Sequence, residues 1–194
     1  MNYTNSRLKV NDPTNWYWYE HGFSNDEIFA IEQIVKTLEI NDGTLLRDNQ
    51  VDQEYRKSKV GWIPITSETV WLYEKMVDMA NNANENQYGY TMLPSAEMIQ
   101  YTEYHEGGGH YDFHIDVGAG YAANRKLSMT VQLSDPSEYD GGNFSILRGR
   151  DEEILPKGKG TVLVFPSFIL HRVSPVTRGV RKSLVLWLGG CSYH

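Results

Sequence analysis

Two histidines and an aspartate are the residues of this sequence best placed to hold a reactive metal ion. In Phe113-His-Ile-Asp116, His114 and Asp116 stand two positions apart. On a β-strand such residues project to the same side, so they can offer a nitrogen and a carboxylate oxygen to one ion. His171, which follows the run Gly160-Thr-Val-Leu-Val-Phe-Pro166, supplies a third donor. Two imidazoles and one carboxylate on one face of an octahedral ion leave three neighbouring positions open, the arrangement of non-haem iron(II) centres that activate oxygen. A closed structural zinc site would need a fourth protein ligand. The pair His110-Tyr-Asp112 has the same spacing and would share the face of His114 and Asp116 on a continuous strand. Two residues advance a strand by about 6.6 Å, so both pairs cannot reach one ion. Spacing alone leaves either pair as the candidate.

The elements that must position these groups are legible in the patterning. Ser24 followed by Glu27 forms a capping box, and Ile28, Ile31, Ile34, Val35 and Leu38 recur at helical spacing up to a stop at Asn41-Asp42-Gly43. A second helix is predicted from Glu68 to Asn81, capped by Thr66 or Ser67, with Leu72, Met76, Met79 and Ala80 on one face. After Pro94 the texture changes to strands, predicted over 98–104, 111–116, 127–133, 143–147, 161–165, 169–173 and 183–188. Turns such as Glu106-Gly-Gly-Gly109 and Asp140-Gly-Gly142 separate them, with no helical pattern between. The expected class is mainly β with flanking helices packed outside an antiparallel sandwich or barrel. The segment Val51-Asp-Gln-Glu-Tyr-Arg-Lys-Ser-Lys-Val-Gly-Trp62 reads either as a lid or as an edge strand with its turn.

With 194 residues, one domain over 1–194 is expected, residues 1–95 giving helical and strand support and 96–190 the catalytic motifs. The balance of 18 Lys+Arg against 25 Asp+Glu, net −7, repels phosphate backbones and weighs against nucleic acid as a partner. Met1 to Val10 carries no signal-peptide pattern and no apolar stretch is long enough to span a bilayer, so a soluble, cytoplasmic protein without a membrane partner is expected. Cys191 is the only cysteine, which excludes an intrachain disulfide. His21 and His194 read as structural or solvated, and His105 and His110 flank a glycine turn near the metal ligands.

The run Tyr104-His-Glu-Gly-Gly-Gly-His-Tyr111-Asp-Phe-His114-Ile-Asp116 resembles the prolyl 4-hydroxylase-like branch of the iron(II)- and 2-oxoglutarate-dependent oxygenases, in particular the hydroxylases called PKHD-type. Further matches follow in the family's order: Arg125 to Gly142, Lys159 to Ser167, His171 to Arg181, and Ser183-Leu-Val-Leu-Trp187. The resemblance covers about Gln100 to Leu188 and is loose before that. It implies a double-stranded β-helix, or jelly-roll, core of cupin-like shape. It assigns iron(II) to His114, Asp116 and His171 and leaves His110 outside. It places the 2-oxoglutarate anchor at Arg181, whose planar guanidinium suits a carboxylate better than a lysine would. Strand parity puts Arg181 on the face of Ser183, Val185 and Trp187, while Lys182 points away. By the same resemblance Tyr104 and Gln132 are cosubstrate contacts, and Tyr111, Val173 and Trp187 line the pocket. Dioxygen and 2-oxoglutarate are the implied cosubstrates, ascorbate a supporting reductant, and succinate and carbon dioxide the products. The implied substrate is a prolyl residue in a peptide or protein. The same chemistry on a free amino acid, another small molecule or an alkylated nucleobase is the alternative. A non-catalytic cupin-like binding module and a zinc hydrolase are readings from other classes; the complete triad with Arg181 argues against the first, and the lack of an obvious general base beside the triad argues against the second.

Overall fold

The computed structural model describes residues 15–44 and 51–191; His194 and the first ten residues lie outside the described part. Thirteen strands and two α-helices are present in it. The strands are β1 (Tyr17–Tyr19), β2 (Asn41–Asp42), β3 (Arg56–Lys57), β4 (Lys59–Ile63), β5 (Met92–Ala96), β6 (Ile99–His105), β7 (Gly109–His114), β8 (Arg125–Gln132), β9 (Tyr139–Gly141), β10 (Phe144–Arg148), β11 (Asp151–Ile154), β12 (Val162–Pro166) and β13 (His171–Gly190). The helices are α1 (Asn25–Val35) and α2 (Val70–Ala83), the latter running into a π-helical turn at Asn84–Tyr88.

All strand pairs are antiparallel, and β13 belongs to two sheets. Its second half lies in a major sheet of order β1-β12-β8-β13-β6-β4-β2, with β5 also pairing β13. Its first half pairs β7 on one side and β10 and β9 on the other, and β3 and β11 extend this minor sheet. The result is a double-stranded β-helix, mainly β, with α1 and α2 against the outer face of the major sheet.

Strict alternation makes the two-sided packing possible. On β8, Leu127, Met129 and Val131 join Ile28, Ile31, Leu72 and Met76 in the core beneath the helices, while Ser128, Thr130 and Gln132 face inward. On β13, Leu184 and Leu186 turn to the helices, and Arg181, Ser183, Val185 and Trp187 line the interior cavity. A second core, including Tyr104, Phe144, Leu163, Phe165 and Val173, fills the space between the sheets. Every residue of β8 is therefore buried, as expected of a strand covered on both faces.

The helices depart from the sequence pattern at their ends. The Ser24–Glu27 capping box forms, with reciprocal bonds of 2.8 and 3.2 Å. However, α1 stops at Val35: Thr37 and Leu38 bond back to Ile34 and Val35 in a tighter turn, and β2 pairs with β4. Leu38 and Ile40 then reach Gly61 from outside the helix, which keeps their apolar side chains covered without a helical backbone. The residue before α2 is Thr69, not Thr66 or Ser67, and it makes no side-chain cap; its hydroxyl donates instead to the Pro64 carbonyl at 2.5 Å.

Two strand expectations change in kind. The predicted strands 169–173 and 183–188 are parts of one long strand, because the charged stretch between them pairs with β9 and β6. Gly179, at φ 71°, supplies a left-handed residue within it. In addition, β7 ends at His114, so Asp116 lies past the strand rather than on it. The segment 51–62 holds two strands rather than one: β3 is an edge strand paired with β7, whereas β4 lies inside the major sheet between β6 and β2.

Candidate metal centre and its pocket

Side-chain donors of His114, Asp116 and His171 all lie within 4.8 Å of one another. Each comes from a different kind of support. His114 is the last residue of β7 and stands opposite His171, the first residue of β13. Asp116 is held where strand pairing has ended, by its N–H donating to the Ser167 carbonyl at 2.8 Å and by Arg125 Nη1 donating to its carbonyl at 3.0 Å.

The imidazoles are oriented by their other nitrogens. His114 Nδ1 lies 2.7 Å from the Asp112 carbonyl and His171 Nδ1 2.9 Å from that of Ile169. With the proton on Nδ1, both Nε2 lone pairs face Asp116, at 3.8 Å for His114 and 3.5 Å for His171. Asp116 Oδ2 accepts from the Ser128 hydroxyl at 2.6 Å, and the Ser167 hydroxyl lies 3.0 Å beyond Ser128. Three acceptor atoms without a proton between them fit a divalent cation, and the two nitrogens and one oxygen fit iron(II).

Electrostatics agree with this orientation. Burial and the neighbouring His171 push His114 down to about 3, against the opposing pull of Asp116, so its ring is neutral at ordinary pH and its Nε2 free to ligate. Burial alone would raise Asp116, yet His171, His114, Ser128 and Trp187 together hold its carboxyl below the usual value. Tyr111 stacks on His114 with ring centroids 3.5 Å apart and fixes that ring from one side.

The same cavity contains Arg181, Tyr104, Tyr111, Val173 and Trp187 on its wall. Arg181 is 1% exposed. Its Nη2 donates to Gln132 Oε1 at 2.8 Å and its Nη1 to Ser183 at 3.3 Å, the Tyr139 phenol also engages the guanidinium, and Nε has no partner among the described residues. The indole N–H of Trp187 is buried beside Asp116, whose carboxylate it helps to stabilise. Buried donors are normally satisfied, so the free Arg181 N–H suits an acceptor such as a dicarboxylate entering the cavity. Burial raises the Tyr104 phenol and the Arg56 and Arg181 charges only partly offset it; the phenol is therefore a donor, 5.4 Å from its ring centre to Arg181 Cζ.

Gln132 is not on the wall; it stands behind Arg181 and fixes it. The His110 and Asp112 side chains stay outside the triad: both His110 nitrogens are engaged with the Gly108 and Glu54 carbonyls, and the Asp112 carboxylate accepts from the Phe113 N–H. His105 is paired with Glu103 at 2.7 Å.

Sequence reasoning missed four contributors. Ser128 was visible as a polar residue alternating with apolar ones on a strand. Ser167 follows the proline run but carries no pattern of its own. Arg125, joined to Glu97 through bonds of 2.6 and 2.5 Å and lying 4.2 Å over Trp187, gives no periodic signal. Arg56 sits in the segment read as a lid or edge strand, and with Val60 and Trp62 it shows that the N-terminal half also lines the pocket.

Comparison with known proteins places this geometry among relatives. Residues 99–189 match the pattern of the 2OG-Fe(II) oxygenase superfamily. A PKHD-type hydroxylase of Janthinobacterium sp. (strain Marseille) is 36% identical over 102 residues, 50% of this chain and 45% of the relative. One from Hyphomonas neptunium is 37% identical over 103 residues, 49% and 45% of the two chains. The chain thus spans less than half the length of the curated relatives it matches. Among solved structures, a prolyl hydroxylase of Trichoplax adhaerens in complex with a hypoxia inducible factor peptide fragment superposes with a TM-score of 0.77 at 16% identity, covering 91% of this chain and 84% of that one. A Pseudomonas putida prolyl-4-hydroxylase superposes with a TM-score of 0.70 at 20% identity, covering 91% and 93%. These two share the fold.

Proposed function

We propose, from the match of residues 99–189 to the 2OG-Fe(II) oxygenase superfamily, that this protein is an iron(II)- and 2-oxoglutarate-dependent dioxygenase that hydroxylates a prolyl residue in a peptide or protein, releasing succinate and carbon dioxide. The observation that carries the reading is the joint placement of the triad and the buried Arg181, with its unpartnered Nε, on one cavity. One domain over 1–194 is the organisation this reading adopts.

Iron(II), when bound by His114, Asp116 and His171, supplies coordination and redox chemistry for the 2-oxo acid, dioxygen and a substrate C–H bond. Everything else is orientation. The Nδ1 bonds to Asp112 and Ile169 keep both ligating nitrogens aimed at Asp116, and Ser128 fixes which carboxylate oxygen remains available. Arg181, preset by Gln132 and Ser183, receives the far carboxylate of 2-oxoglutarate, and the Tyr104 hydroxyl donates beside it. Phe144, Phe165 and Val173 are apolar walls that exclude water from the reacting end.

The peptide preference rests on the names of the relatives and on the mouth of the cavity. Trp62, Ile115 and Tyr121 line it and are 43%, 44% and 70% exposed, an apolar rim on which an extended chain could lie. The test is reconstitution under nitrogen with iron(II), 2-oxoglutarate, ascorbate and a proline-containing peptide library, followed by admission of oxygen. Succinate together with peptides carrying one added oxygen atom is the expected result. Succinate without oxidised peptide would leave the dioxygenase and remove the prolyl substrate; no succinate from fully iron-loaded protein would overturn the proposal.

A further inference from the structure

Among the described residues three arginines line the cavity, and they differ in how their charge is balanced. Arg125 is matched by Glu97. Arg181 is the anchor assigned above to the cosubstrate. Arg56, only 7% exposed, is held by neutral groups alone: Nε donates to Ser58 Oγ at 2.8 Å, Nη1 to the Thr44 carbonyl at 2.9 Å and Nη2 to Gln100 Oε1 at 3.0 Å. Its Cζ lies 4.6 Å over the Tyr111 ring. No carboxylate lies within ion-pair distance of it among the described residues. A buried cation without a counter-charge is costly, and an anion brought beside it would offset that cost.

A charge count locates that anion. A divalent ion with Asp116 leaves one net positive charge, Arg181 adds a second, and the dianion of 2-oxoglutarate cancels both. Arg56 remains. It has five N–H groups, and three are engaged, so two are left to donate. It is also near the reacting centre: Tyr111, over which it lies, stacks on the ligand His114. Its charge is felt by the Tyr104 and Tyr111 phenols, which burial raises and Arg56 pulls back.

Resting on the dioxygenase reading, we propose that Arg56 is a second anion anchor of the pocket and that the substrate carries a carboxylate that pairs with it. One ring separates Arg56 from a metal ligand, so the carboxylate stands close to the carbon that reacts. It comes either from the α-carboxylate of a free or chain-terminal amino acid or from an acidic side chain beside the modified residue. Ser58 and Gln100 hold the guanidinium in place as positioning residues, and Thr102, which donates to Gln100 Oε1 at 3.2 Å, orients Gln100.

The test uses full-length protein loaded with zinc(II) and 2-oxoglutarate, which binds without turnover, and reads affinity by calorimetry. One probe set is the N-acetyl amino acids with free carboxylates against the matching carboxamides. The other is end-capped proline peptides with Asp or Glu neighbours against the same peptides with Asn or Gln. At least one set should prefer the carboxylate by about tenfold or more, the strength of one charge-assisted pair. Which set does so decides the source. Arg56→Gln should bring that preference to within about twofold, and Arg56→Lys should keep part of it. Melting curves of both variants check folding, and Arg56→Lys retains the charge if Arg56→Gln does not fold. The affinity for 2-oxoglutarate should stay within about threefold in Arg56→Lys, since Arg181 holds that anion. Equal binding of carboxylates and amides, a preference that survives Arg56→Gln, no binding by either set, or a tenfold loss of 2-oxoglutarate affinity in Arg56→Lys would each overturn the proposal. Because zinc replaces iron, these outcomes are separate from succinate formation: a failure to make succinate would sink the dioxygenase reading and leave the carboxylate preference standing or falling on its own.

Discussion

Asp116 and Arg181 are both buried charges, but they are held in opposite ways, and substitutions should separate them. Asp116 closes the triad, so Asp116→Ala is expected to lower metal affinity by at least about a hundredfold and abolish turnover. Arg181 touches no triad atom, so Arg181→Ala should leave metal affinity within about threefold. It should raise the 2-oxoglutarate requirement at least about tenfold, the cost of one charge-assisted pair. Metal titration followed by a 2-oxoglutarate saturation curve reads both; equal loss of metal in the two variants would refute the division. His114 carries a pH signature in the metal-free protein. Its folded value of about 3 lies below the ordinary 6.5, so an unfolded chain takes up a proton that the folded one refuses. This contribution is full above about 6.5 and is lost as pH falls toward about 3, by up to ~1.4 kcal/mol per pH unit. Urea melts in chelator should therefore show stability dropping between neutral and mildly acidic pH, with a flatter slope in His114→Gln. At this scale the sequence was most legible where parity applies: Arg181, Ser183 and Trp187 face inward as alternation requires. It was silent on Arg125 and Arg56, whose roles come from chain crossings that no local spacing encodes.

At the scale of elements, the strand that does most of the positioning is the one the sequence divided in two. β13 provides His171 in the minor sheet and Arg181 in the major one, so its bend sets the distance between the triad histidine and the proposed cosubstrate anchor. Gly179 stands between them at φ 71°, and a Cβ there would meet the Glu138 carbonyl oxygen at 2.1 Å. Gly179→Ala must therefore shift backbone against backbone, and a loss of about 2–3 kcal/mol is expected from the left-handed strain and the clash together. The loss should be accompanied by weaker 2-oxoglutarate binding, since Arg181 is two residues away. Chemical denaturation with a cosubstrate titration checks this; a destabilised variant with unchanged cosubstrate affinity would show that the bend does not position Arg181. Helices and buried strands were readable because their apolar period is imposed by burial. The bend was not, because a glycine among charged residues looks like a loop until β9 and β6 pair with it. The end of β7 at His114 was hidden for a related reason: Asp116 reaches the site through Ser167, a contact distant in sequence.

The molecule as a whole separates stability from chemistry by placing them on opposite faces of the major sheet. α1 and α2 cover one face with a core that includes Met76, Leu127, Met129 and Leu184, and the cavity opens on the other. The intervening β8 and β13 contribute alternate residues to each side, so a defect under the helices reaches the site only through backbone shared by both. Met76 is 0% exposed, and Met76→Ala should cost about 2–5 kcal/mol through lost burial and the cavity left behind. In a chain of this size that lowers the melting temperature by roughly 5–15 °C. Ligands that bind only the folded state add stability according to their concentration over their dissociation constant. Zinc(II) and then 2-oxoglutarate should therefore raise the melting temperature of Met76→Ala by steps close to those in the unsubstituted protein, from a lower starting point. Parallel thermal melts at matched ligand concentrations measure both the offset and the steps. Steps that shrink with the offset would mean that the outer core tunes the pocket through β8 and β13, and that the two faces of this sheet are mechanically one.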